Sequence, residues 1–324
     1  MTISNSPKVT IHIPVYNGEN YLEVEIDSLL KQTYTDFELL ITDNCSSDRT
    51  GEICRRYADQ DSRVRYHLNP ENIGSNANFD LGVELALGEY FKWASHDDFH
   101  DPEFLQACVD VLDADPDAVL VQSLVQIVDM KGENISIYDS HLRGSDSDDP
   151  VERFKPLTHV RHVCTEVFGL FRMEALKKTK LMTENYHACD RAMLAEIALL
   201  GKIVQIKKPL FFNREHAGRY VRRIRPSERS SYHLHAPSIK TEIDQLLLYR
   251  DYKEAIETHL QNPQDQKRAR KVLFNWWFVE WNSLRLLVEL ASWKFPRVYD
   301  WAKWLSDRVV KPQHPTIITK NQTK

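Results

Sequence analysis

Two patterns of apolar positions alternate along residues 8–128. One is a short apolar run, such as FELLIT at 37–42, which is typical of a buried parallel strand. The other places apolar residues three and four positions apart, as at Leu22, Ile26 and Leu29, which predicts an amphipathic helix. The apolar runs are 9–13, 37–42, 63–68, 89–95 and 118–128. Successive strand–helix units favour an α/β protein with a Rossmann-like, mostly parallel sheet flanked by helices.

Polar residues mark the starts of the predicted helices. Ser47 or Asp48 can cap the helix that follows the second strand. Asp101 followed by Pro102 supplies an N-cap with proline at the first helical position, which predicts a further helix from there.

Beyond residue 128 the pattern is less regular. The acidic stretch 141–150 predicts a mobile loop, and a helix is predicted from about Asp190 to Leu200. The C-terminal part is helical in pattern and carries every tryptophan except Trp93. We therefore expect a domain at 1–225, with halves at 8–128 and 129–225, and a helical C-terminal extension at 226–324.

Composition narrows the class of protein. Of 324 residues, 42% are hydrophobic and 27% are charged, which is typical of a globular chain and excludes a disordered one. The formal net charge of −5 provides no overall positive field to hold nucleic acid. The five cysteines are scattered without a CxxC pair, which disfavours a disulfide framework or a thiolate zinc site. With no secretory signal pattern and no apolar run of about 18 residues, we expect a cytoplasmic protein.

Polar residues follow the predicted strands at the edge where an open parallel sheet binds ligands. Asp43 and Asn44 follow the second strand, and Asp97 and Asp98 follow the fourth. The chain has neither a GxGxxG turn after the first strand nor a GKS or GKT phosphate loop. Because carboxylates repel a bare diphosphate, this combination indicates a phosphate ligand bridged by Mg²⁺ or Mn²⁺.

Three segments together resemble the signatures of family-2 glycosyltransferases with the GT-A fold. They are HIPVYNGENYLEVEIDSLLKQTYTDFELLITDNCSSDRT, NIGSNANFDLG and GEYFKWASHDD, and the resemblance extends over about residues 8–216. Each segment alone is weak evidence for the family, whereas the three segments in this order and at matching spacing are specific to it. The resemblance implies a GT-A type sheet and an inverting, metal-dependent transferase that uses a nucleotide-diphosphate sugar.

The resemblance also assigns residues to the nucleotide of the sugar donor: Pro14, Val15, Tyr16, Asn17, Glu19, Asp43, Asn76 and Asp97. In the family, the loop at 14–17 wraps the base and ribose, and the acid at Asp43 contacts the base. The acid at Asp97 touches the ribose or a metal-bound water. The family usually has two aspartates where this chain has Asp43 and Asn44, so the identity of the base stays open.

The resemblance assigns the metal to Asp98 and His216. Asp98 matches the last acid of the DxD-type motif, which ligates the metal directly, and His216 matches a position that reaches the metal in some relatives. Spacing alone leaves other interpretations open, because Asp97 and Asp98 could precede a helix and Asp43 could form a turn. A lone histidine in a loop is often only a hydrogen-bonding residue.

An inverting transfer needs a base that takes the proton of the acceptor hydroxyl. The resemblance makes Asp190 this base, although Cys189 replaces the usual glutamate. Asp190 could instead cap the helix at 191–200, and Glu184 is an alternative base.

Arg214 or Arg219 could neutralise the diphosphate. An acceptor wall could consist of Trp93, Gly169, Leu170 and Phe171.

The C-terminal segment carries an apolar stripe at Leu273, Trp277, Trp281, Leu284 and Val288. The stripe favours packing onto the catalytic domain or a homodimer contact. The alternative is peripheral contact with the cytoplasmic face of the inner membrane, which the tryptophans and the basic stretch KRARK at 267–271 favour.

The sequence thus predicts a glycosyltransferase that moves a sugar from a nucleotide-diphosphate donor, UDP-linked by preference, to a hydroxyl of a growing polysaccharide or glycolipid. Mn²⁺ or Mg²⁺ is the expected cofactor. Two alternatives remain. A sugar nucleotidyltransferase would require a glycine-rich loop that carries a lysine after the first strand. This chain has no such loop there. A non-catalytic carbohydrate-binding scaffold would fit the acidic motifs, which contain fewer aspartates here than is usual in the family.

Overall fold

The structure is a computed structural model that describes residues 6–160, 162–182, 188–216 and 244–279, together with 282, 283 and 286. The strands of this part are β1 (Val9–Val15), β2 (Phe37–Asp43), β3 (Val64–Leu68), β4 (Tyr90–Trp93), β5 (Phe99–His100), β6 (Ala118–Val128), β7 (Asn134–Tyr138), β8 (Leu170–Arg172) and β9 (Lys202–Arg214). The helices are α1 (Leu22–Leu30), α2 (Thr50–Gln60), α3 (Ser75–Leu85), α4 (Phe104–Ala114), α5 (Pro150–His159), α6 (Met173–Leu176), α7 (Cys189–Leu200), α8 (Asp244–His259) and α9 (Pro263–Phe274).

The described strands form one sheet in the order β3-β2-β1-β4-β8-β6-β9-β5, with β7 beside β6. Strands β1 to β4 are parallel, and β8 is antiparallel to both β4 and β6. Strand β6 therefore runs in the direction of β4, and β9 is parallel to β6. As a result, the carboxyl ends of β1, β2, β4 and β9 lie at one edge of the sheet. The predicted mostly parallel α/β architecture is confirmed.

Trp93, at the end of β4, lies in the hydrophobic core. It is 0% exposed, its ring meets that of Phe171 edge-on at 5.5 Å, and its Nε1 donates to the carbonyl of Phe79 at 3.0 Å. Gly169 and Leu170 are buried as well. The prediction that these residues form a sugar-acceptor wall is therefore wrong, because the side chains of Trp93, Leu170 and Phe171 are buried in the hydrophobic core.

The region from 129 to 157 is more regular than its sequence pattern suggested. Strand β7 pairs antiparallel with β6, and α5 begins at Pro150 with Asp149 as its N-cap, whose Oδ1 accepts from the backbone N–H of Val151 at 2.9 Å. The stretch expected to be a mobile loop is bonded to β9, because Ser145 Oγ donates to the carbonyl of Ile203 at 2.9 Å.

Helices α8 and α9 pack on the half at 129–225 through α7 and α5. Leu273 and Trp276 are buried in the same core cluster as α7, and the Trp276 ring meets that of Tyr252 at 5.4 Å. The expected boundary at 225/226 lies outside the described residues, as do Trp281, Leu284 and Val288. No helix in the described ranges is both long and apolar enough to cross a membrane.

Candidate active site

The loops after β1 and β2 are bonded to each other at the carboxyl edge of the sheet. The backbone N–H of Asn17 donates to Ser46 Oγ at 2.9 Å, and Asn17 Oδ1 accepts from the backbone N–H of Ser47 at 2.9 Å. Glu19 Oε2 accepts from the backbone N–H of Arg49 at 3.1 Å. The side chains of Asn17 and Glu19 therefore hold the two loops together.

Of the four residues expected to wrap the nucleotide, two are exposed. Pro14 and Val15 end β1 and are buried, whereas Tyr16 is 42% exposed and Asn17 is exposed beside it. Asn17 has a φ of 54°, in the left-handed region that asparagine tolerates better than most residues. Tyr16 and Asn17 thus offer the accessible surface of this loop.

Asp43 is buried at the end of β2. Its Oδ1 accepts from the backbone N–H of Ser46, and its Oδ2 accepts from the hydroxyl of Tyr66, both at 2.9 Å. Burial and the Asp43 carboxylate together raise the pKa of Tyr66. Asp43 therefore fixes the start of the loop that follows β2.

Asn44 is the centre of a buried amide network. Its Nδ2 donates to Asn72 Oδ1 at 2.8 Å and to the carbonyl of Gly74 at 3.1 Å. Its Oδ1 accepts from Asn69 Nδ2 at 3.1 Å and from the backbone N–H of Ile73 at 2.9 Å. An ionised aspartate could not donate these bonds, so the departure from the usual pair of aspartates has a structural role here.

Asp97 and His216 meet at the same edge. His216 Nε2 lies 2.8 Å from Asp97 Oδ2, and the Ser95 hydroxyl donates to Asp97 Oδ1. Burial raises the pKa of Asp97, but the bond with His216, the nearby ring of His96 and the Ser95 hydroxyl outweigh it and lower the pKa. Asp97 is therefore held as a carboxylate.

Asp98 points into the protein instead. It is 2% exposed, its Oδ1 accepts from the backbone N–H of Arg214 at 2.8 Å, and its Oδ2 accepts from Asn213 Nδ2 at 3.0 Å. These bonds tie the loop after β4 to the end of β9. Each oxygen of Asp98 thus accepts one hydrogen bond from β9, and the expectation that Asp98 ligates a metal directly stays a prediction.

Arg214 is also engaged within the protein. Its Nε donates to the carbonyl of Asp97 at 2.9 Å and its Nη1 to the carbonyl of Met130 at 3.0 Å. The guanidinium carbon lies 4.9 Å from the ring centre of Tyr21 and 5.2 Å from that of Phe99. Arg214 thus positions the acidic loop, and the expectation that it neutralises a diphosphate is not favoured.

The donor atoms of Asp97 and His216 fit a divalent cation. A carboxylate oxygen and an imidazole nitrogen that face each other are ligand types that Mn²⁺ accepts, and Mg²⁺ is held by one or two carboxylates with substrate phosphates. Within the described ranges no group of three or more His, Cys, Asp or Glu residues could hold a metal ion. The remaining ligands would therefore have to come from a bound phosphate or water.

Asp190 lies in the first turn of α7 and is half-buried. Its Oδ1 accepts from the backbone N–H of Arg191 at 2.7 Å, and burial raises its pKa above the ordinary value. The preceding residue, Cys189, accepts a bond from Asn76 Nδ2 at 3.5 Å, which links α7 to the start of α3. The alternative base Glu184 lies outside the described residues, as does Arg219.

Sequence reasoning missed Asn213 and Tyr21. Asn213 bonds to Asp98, and the ring of Tyr21 lies 5.1 Å from that of His216 and also faces Arg214. No local motif marks either residue, because each acts on a partner that is distant in sequence.

The chain matches the family model described as glycosyl transferase family 2 over residues 10–180. An uncharacterized glycosyltransferase of Rickettsia typhi is 34% identical over 183 residues, which are 54% of this chain and 56% of that relative. The chain thus spans little more than half the length of this curated relative.

Two solved structures share the fold. One is that of residues 1–349 of S. aureus TarS in complex with UDP-GlcNAc, with a TM-score of 0.58 and 18% identity over 82% of this chain and 70% of that one. The other is the mannosyltransferase PcManGT from Pyrobaculum calidifontis in complex with GDP-Man and Mn²⁺, with a TM-score of 0.51 and 18% identity over 93% of this chain and 84% of that one. These neighbours confirm the expected GT-A type of architecture.

Proposed function

The chain belongs to glycosyl transferase family 2, and on that premise we propose that it is an inverting glycosyltransferase with a UDP-linked sugar donor. Its acceptor is the hydroxyl of a saccharide or of a lipid-linked saccharide. The observation that carries this proposal is the 2.8 Å contact of Asp97 with His216 at the sheet edge that also bears Asp43 and the loop at 14–17.

The cation, Mn²⁺ or Mg²⁺, is assigned to Asp97 and His216. When bound, it supplies positive charge that stabilises the departing diphosphate. Asp98 is assigned a positioning role, because its bonds to Asn213 and Arg214 place His216 opposite Asp97. This exchanges the roles that the sequence suggested for the two aspartates.

Asp190 is assigned as the base. It takes the proton of the acceptor hydroxyl, whose oxygen forms a bond to the anomeric carbon. The bond from that carbon to the diphosphate oxygen breaks at the same time, and the nucleoside diphosphate leaves with the electron pair. A single displacement of this kind inverts the anomeric centre. The raised pKa of Asp190 supports the assignment, because a carboxylate with a higher pKa is a better proton acceptor.

The donor contacts are assigned to Tyr16, Asn17 and Asp43, with Glu19 and Asn76 as supports of the surrounding loops. Solved neighbours that hold UDP-GlcNAc or GDP-Man support a nucleotide-sugar donor for this chain. The choice of UDP over GDP rests on the family's base-contacting acid at Asp43.

A screen of activated sugars tests the proposal. UDP- and GDP-sugars are incubated with the protein with and without MnCl₂, and released nucleotide is measured. Release of nucleoside diphosphate that requires the metal is the expected result. Release of pyrophosphate from a nucleoside triphosphate and a sugar phosphate would instead identify a nucleotidyltransferase. Metal-dependent binding of a donor without turnover in any acceptor mixture would favour the scaffold alternative.

The C-terminal helices remain the proposed contact with a membrane or a second copy. Phe274, Phe278 and Val279 are exposed, whereas Leu273 and Trp276 face the core. Of the predicted stripe, Leu273 is buried and Trp277 is partly buried against the same core, so the exposed apolar surface consists of neighbouring residues.

A further inference from the structure

One side of helix α9 is exposed to solvent and carries both basic and aromatic side chains. Lys267, Lys271, Phe274 and Phe278 follow one another at intervals of four, three and four residues, which places them on the same side of a helix. All four are exposed, as is Arg270, which comes three residues after Lys267. We call these five residues the α9 face.

The aromatic end of the α9 face belongs to an exposed apolar patch. Phe274 is 56% exposed and Phe278 is 55% exposed, and their ring centres lie 4.7 Å apart. Leu246, near the start of α8, is exposed as well. The ring of Tyr249, three residues after Leu246, lies 4.9 Å from that of Trp277, so the start of α8 adjoins this end of α9. Large apolar side chains that stay exposed side by side indicate a surface that binds a partner.

The basic end of the α9 face carries positive charge that is only partly compensated. Lys267 and Lys271 form no ion pair within the described ranges, and Arg270 lies 3.5 Å from Glu257. The sequence from 266 to 279 contains no aspartate or glutamate, although the formal net charge of the whole chain is −5. A partner of this face must therefore offer both negative charge and apolar surface.

The other side of α9 fixes the α9 face to the rest of the protein. Ala269, Leu273 and Trp276 are buried in the hydrophobic core, and Arg268 forms an ion pair with Asp149 at the start of α5. The α9 face is thus presented by a helix that is already folded and packed. Its binding to a partner avoids the entropic cost of ordering a flexible segment.

A lipid surface with anionic headgroups matches both ends of the α9 face. Aromatic side chains enter the boundary between headgroups and acyl chains, while lysine and arginine are attracted to the anionic headgroups. A second copy of the chain matches less well. In a two-fold dimer the same surface meets itself, so the three cations of one copy would share an interface with the same three of the other and repel them.

We propose that the α9 face docks the protein on a lipid surface with anionic headgroups. Phe274 and Phe278 enter the boundary between headgroups and acyl chains, and Lys267, Arg270 and Lys271 contact the headgroup phosphates. The inference rests on the proposed contact of the C-terminal helices, for which it selects a membrane over a second copy, and it is independent of the catalytic assignments.

Sedimentation with lipid vesicles tests the inference on the full chain. Vesicles of phosphatidylcholine alone are compared with vesicles of which about a third is phosphatidylglycerol, at low and at high NaCl concentration. At low salt we expect the protein to partition onto the anionic vesicles at least about tenfold more strongly than onto the neutral ones, and we expect high salt to weaken this binding. Equal binding to both kinds of vesicle, or binding to neither, would overturn the inference.

Removal of charge tests the basic end of the α9 face. Lys267→Gln together with Lys271→Gln is expected to weaken binding to the anionic vesicles about tenfold or more, because each basic residue near an anionic surface adds to the attraction. The control is Lys31→Gln together with Lys177→Gln, which removes the same charge from exposed positions elsewhere and should bind as wild type does. Equal losses in the two double variants would show that net charge alone governs the binding, which would overturn the assignment to the α9 face.

Removal of the two phenylalanine rings tests the aromatic end. Phe274→Gln together with Phe278→Gln is expected to weaken vesicle binding about tenfold or more, since the apolar area that enters the lipid is lost. Leu87→Gln together with Ile135→Gln, at exposed positions in other parts of the chain, is the matched control and should bind as wild type does. Thermal melting establishes that each variant is folded, and undiminished binding of the folded phenylalanine variant would sink the inference.

A second copy as the partner would give a different pattern. Sedimentation velocity without lipid would then show a dimer of wild type that Phe274→Gln together with Phe278→Gln dissociates, and wild type would bind no vesicles. That result would overturn the inference. Failure of the proposed function is distinguishable, because vesicle binding needs no sugar donor and the donor screen needs no lipid.

Discussion

Asp97 Oδ2 and His216 Nε2 lie 2.8 Å apart although 119 positions separate the two residues. Strand β5 brings them together, because Phe99 and His100 pair with Phe212 and Phe211 of β9 just beyond the acidic loop. The contact therefore depends on the pairing of two strands that are distant in sequence.

Replacement of Asp97 tests its role in cation binding. In wild type, Mn²⁺ is expected to raise the affinity for UDP at least about tenfold. Asp97→Asn is expected to abolish this increase, since a neutral amide is a much poorer ligand of the cation than a carboxylate. Stability is expected to fall as well, by about 1–3 kcal/mol, because Asp97 is largely buried and its carboxylate is bonded to His216 and Ser95, so urea unfolding is measured beside the binding. Calorimetric titration of UDP with and without MnCl₂ measures the first effect. Undiminished Mn²⁺ dependence would show that the cation binds elsewhere.

Replacement of Asp98 should act on stability first. Asp98→Asn keeps one acceptor oxygen but places an amide N–H₂ against the N–H donor of either Asn213 or Arg214, and we expect a loss of about 1–3 kcal/mol in the free energy of unfolding. The double variant Asp98→Asn with Asn213→Asp reverses the donor and acceptor of one bond and should recover part of the loss. Urea unfolding compares wild type, the single variants Asp98→Asn and Asn213→Asp, and the double variant. Equal stability of Asp98→Asn and wild type would contradict the assignment.

Asp190→Asn is expected to retain UDP binding and to lower kcat for transfer about 10²- to 10⁴-fold, since the general base is removed. The acid limb of the pH profile gives a second test. Burial raises the pKa of Asp190 above its ordinary value of 3.8, so transfer should rise with pH as this group loses its proton. The residual activity of Asp190→Asn should lack that limb. Activity near the wild-type level would exclude Asp190 as the base.

Asn44→Asp tests the amide network after β2. The substitution restores the usual pair of aspartates but removes two donated bonds and brings a charge against Asn72 Oδ1 and the Gly74 carbonyl. We expect a loss of about 2 kcal/mol or more in stability and weaker UDP binding. Asn134→Asp, at an exposed position on β7, is the matched control. Thermal melting decides, and equal melting temperatures for both variants would refute the network's role.

His12 is expected to make the protein sensitive to acid. Burial lowers the pKa of His12 from 6.5 to about 3, so the unfolded chain binds a proton that the folded one does not between these pH values. Stability should therefore fall as the pH drops below 6.5, by about 2 kcal/mol at pH 5. His12→Gln should flatten this dependence in urea unfolding at pH 7 and 5, whereas His67→Gln, at a partly exposed position on β3, should not. An unchanged slope in His12→Gln would contradict the assignment.

The strands β1 to β4 and β6 could be predicted from sequence because each is a short apolar run between polar turns. Helix α5 was missed although Asp149-Pro150 repeats the signal of Asp101-Pro102, because the acidic residues before it suggested a loop. The roles of Asp97 and Asp98 could not be separated in this way. Two adjacent aspartates cannot be told apart from the sequence. Which of them bonds to β9 depends on where that strand lies in the fold.

Arg214 joins three segments at the carboxyl end of β9. Its guanidinium carbon lies 4.9 Å from the ring centre of Tyr21 and 5.2 Å from that of Phe99, and its nitrogens donate to the carbonyls of Asp97 and Met130. One side chain thus couples the acidic loop after β4, the turn between β6 and β7 and the start of α1.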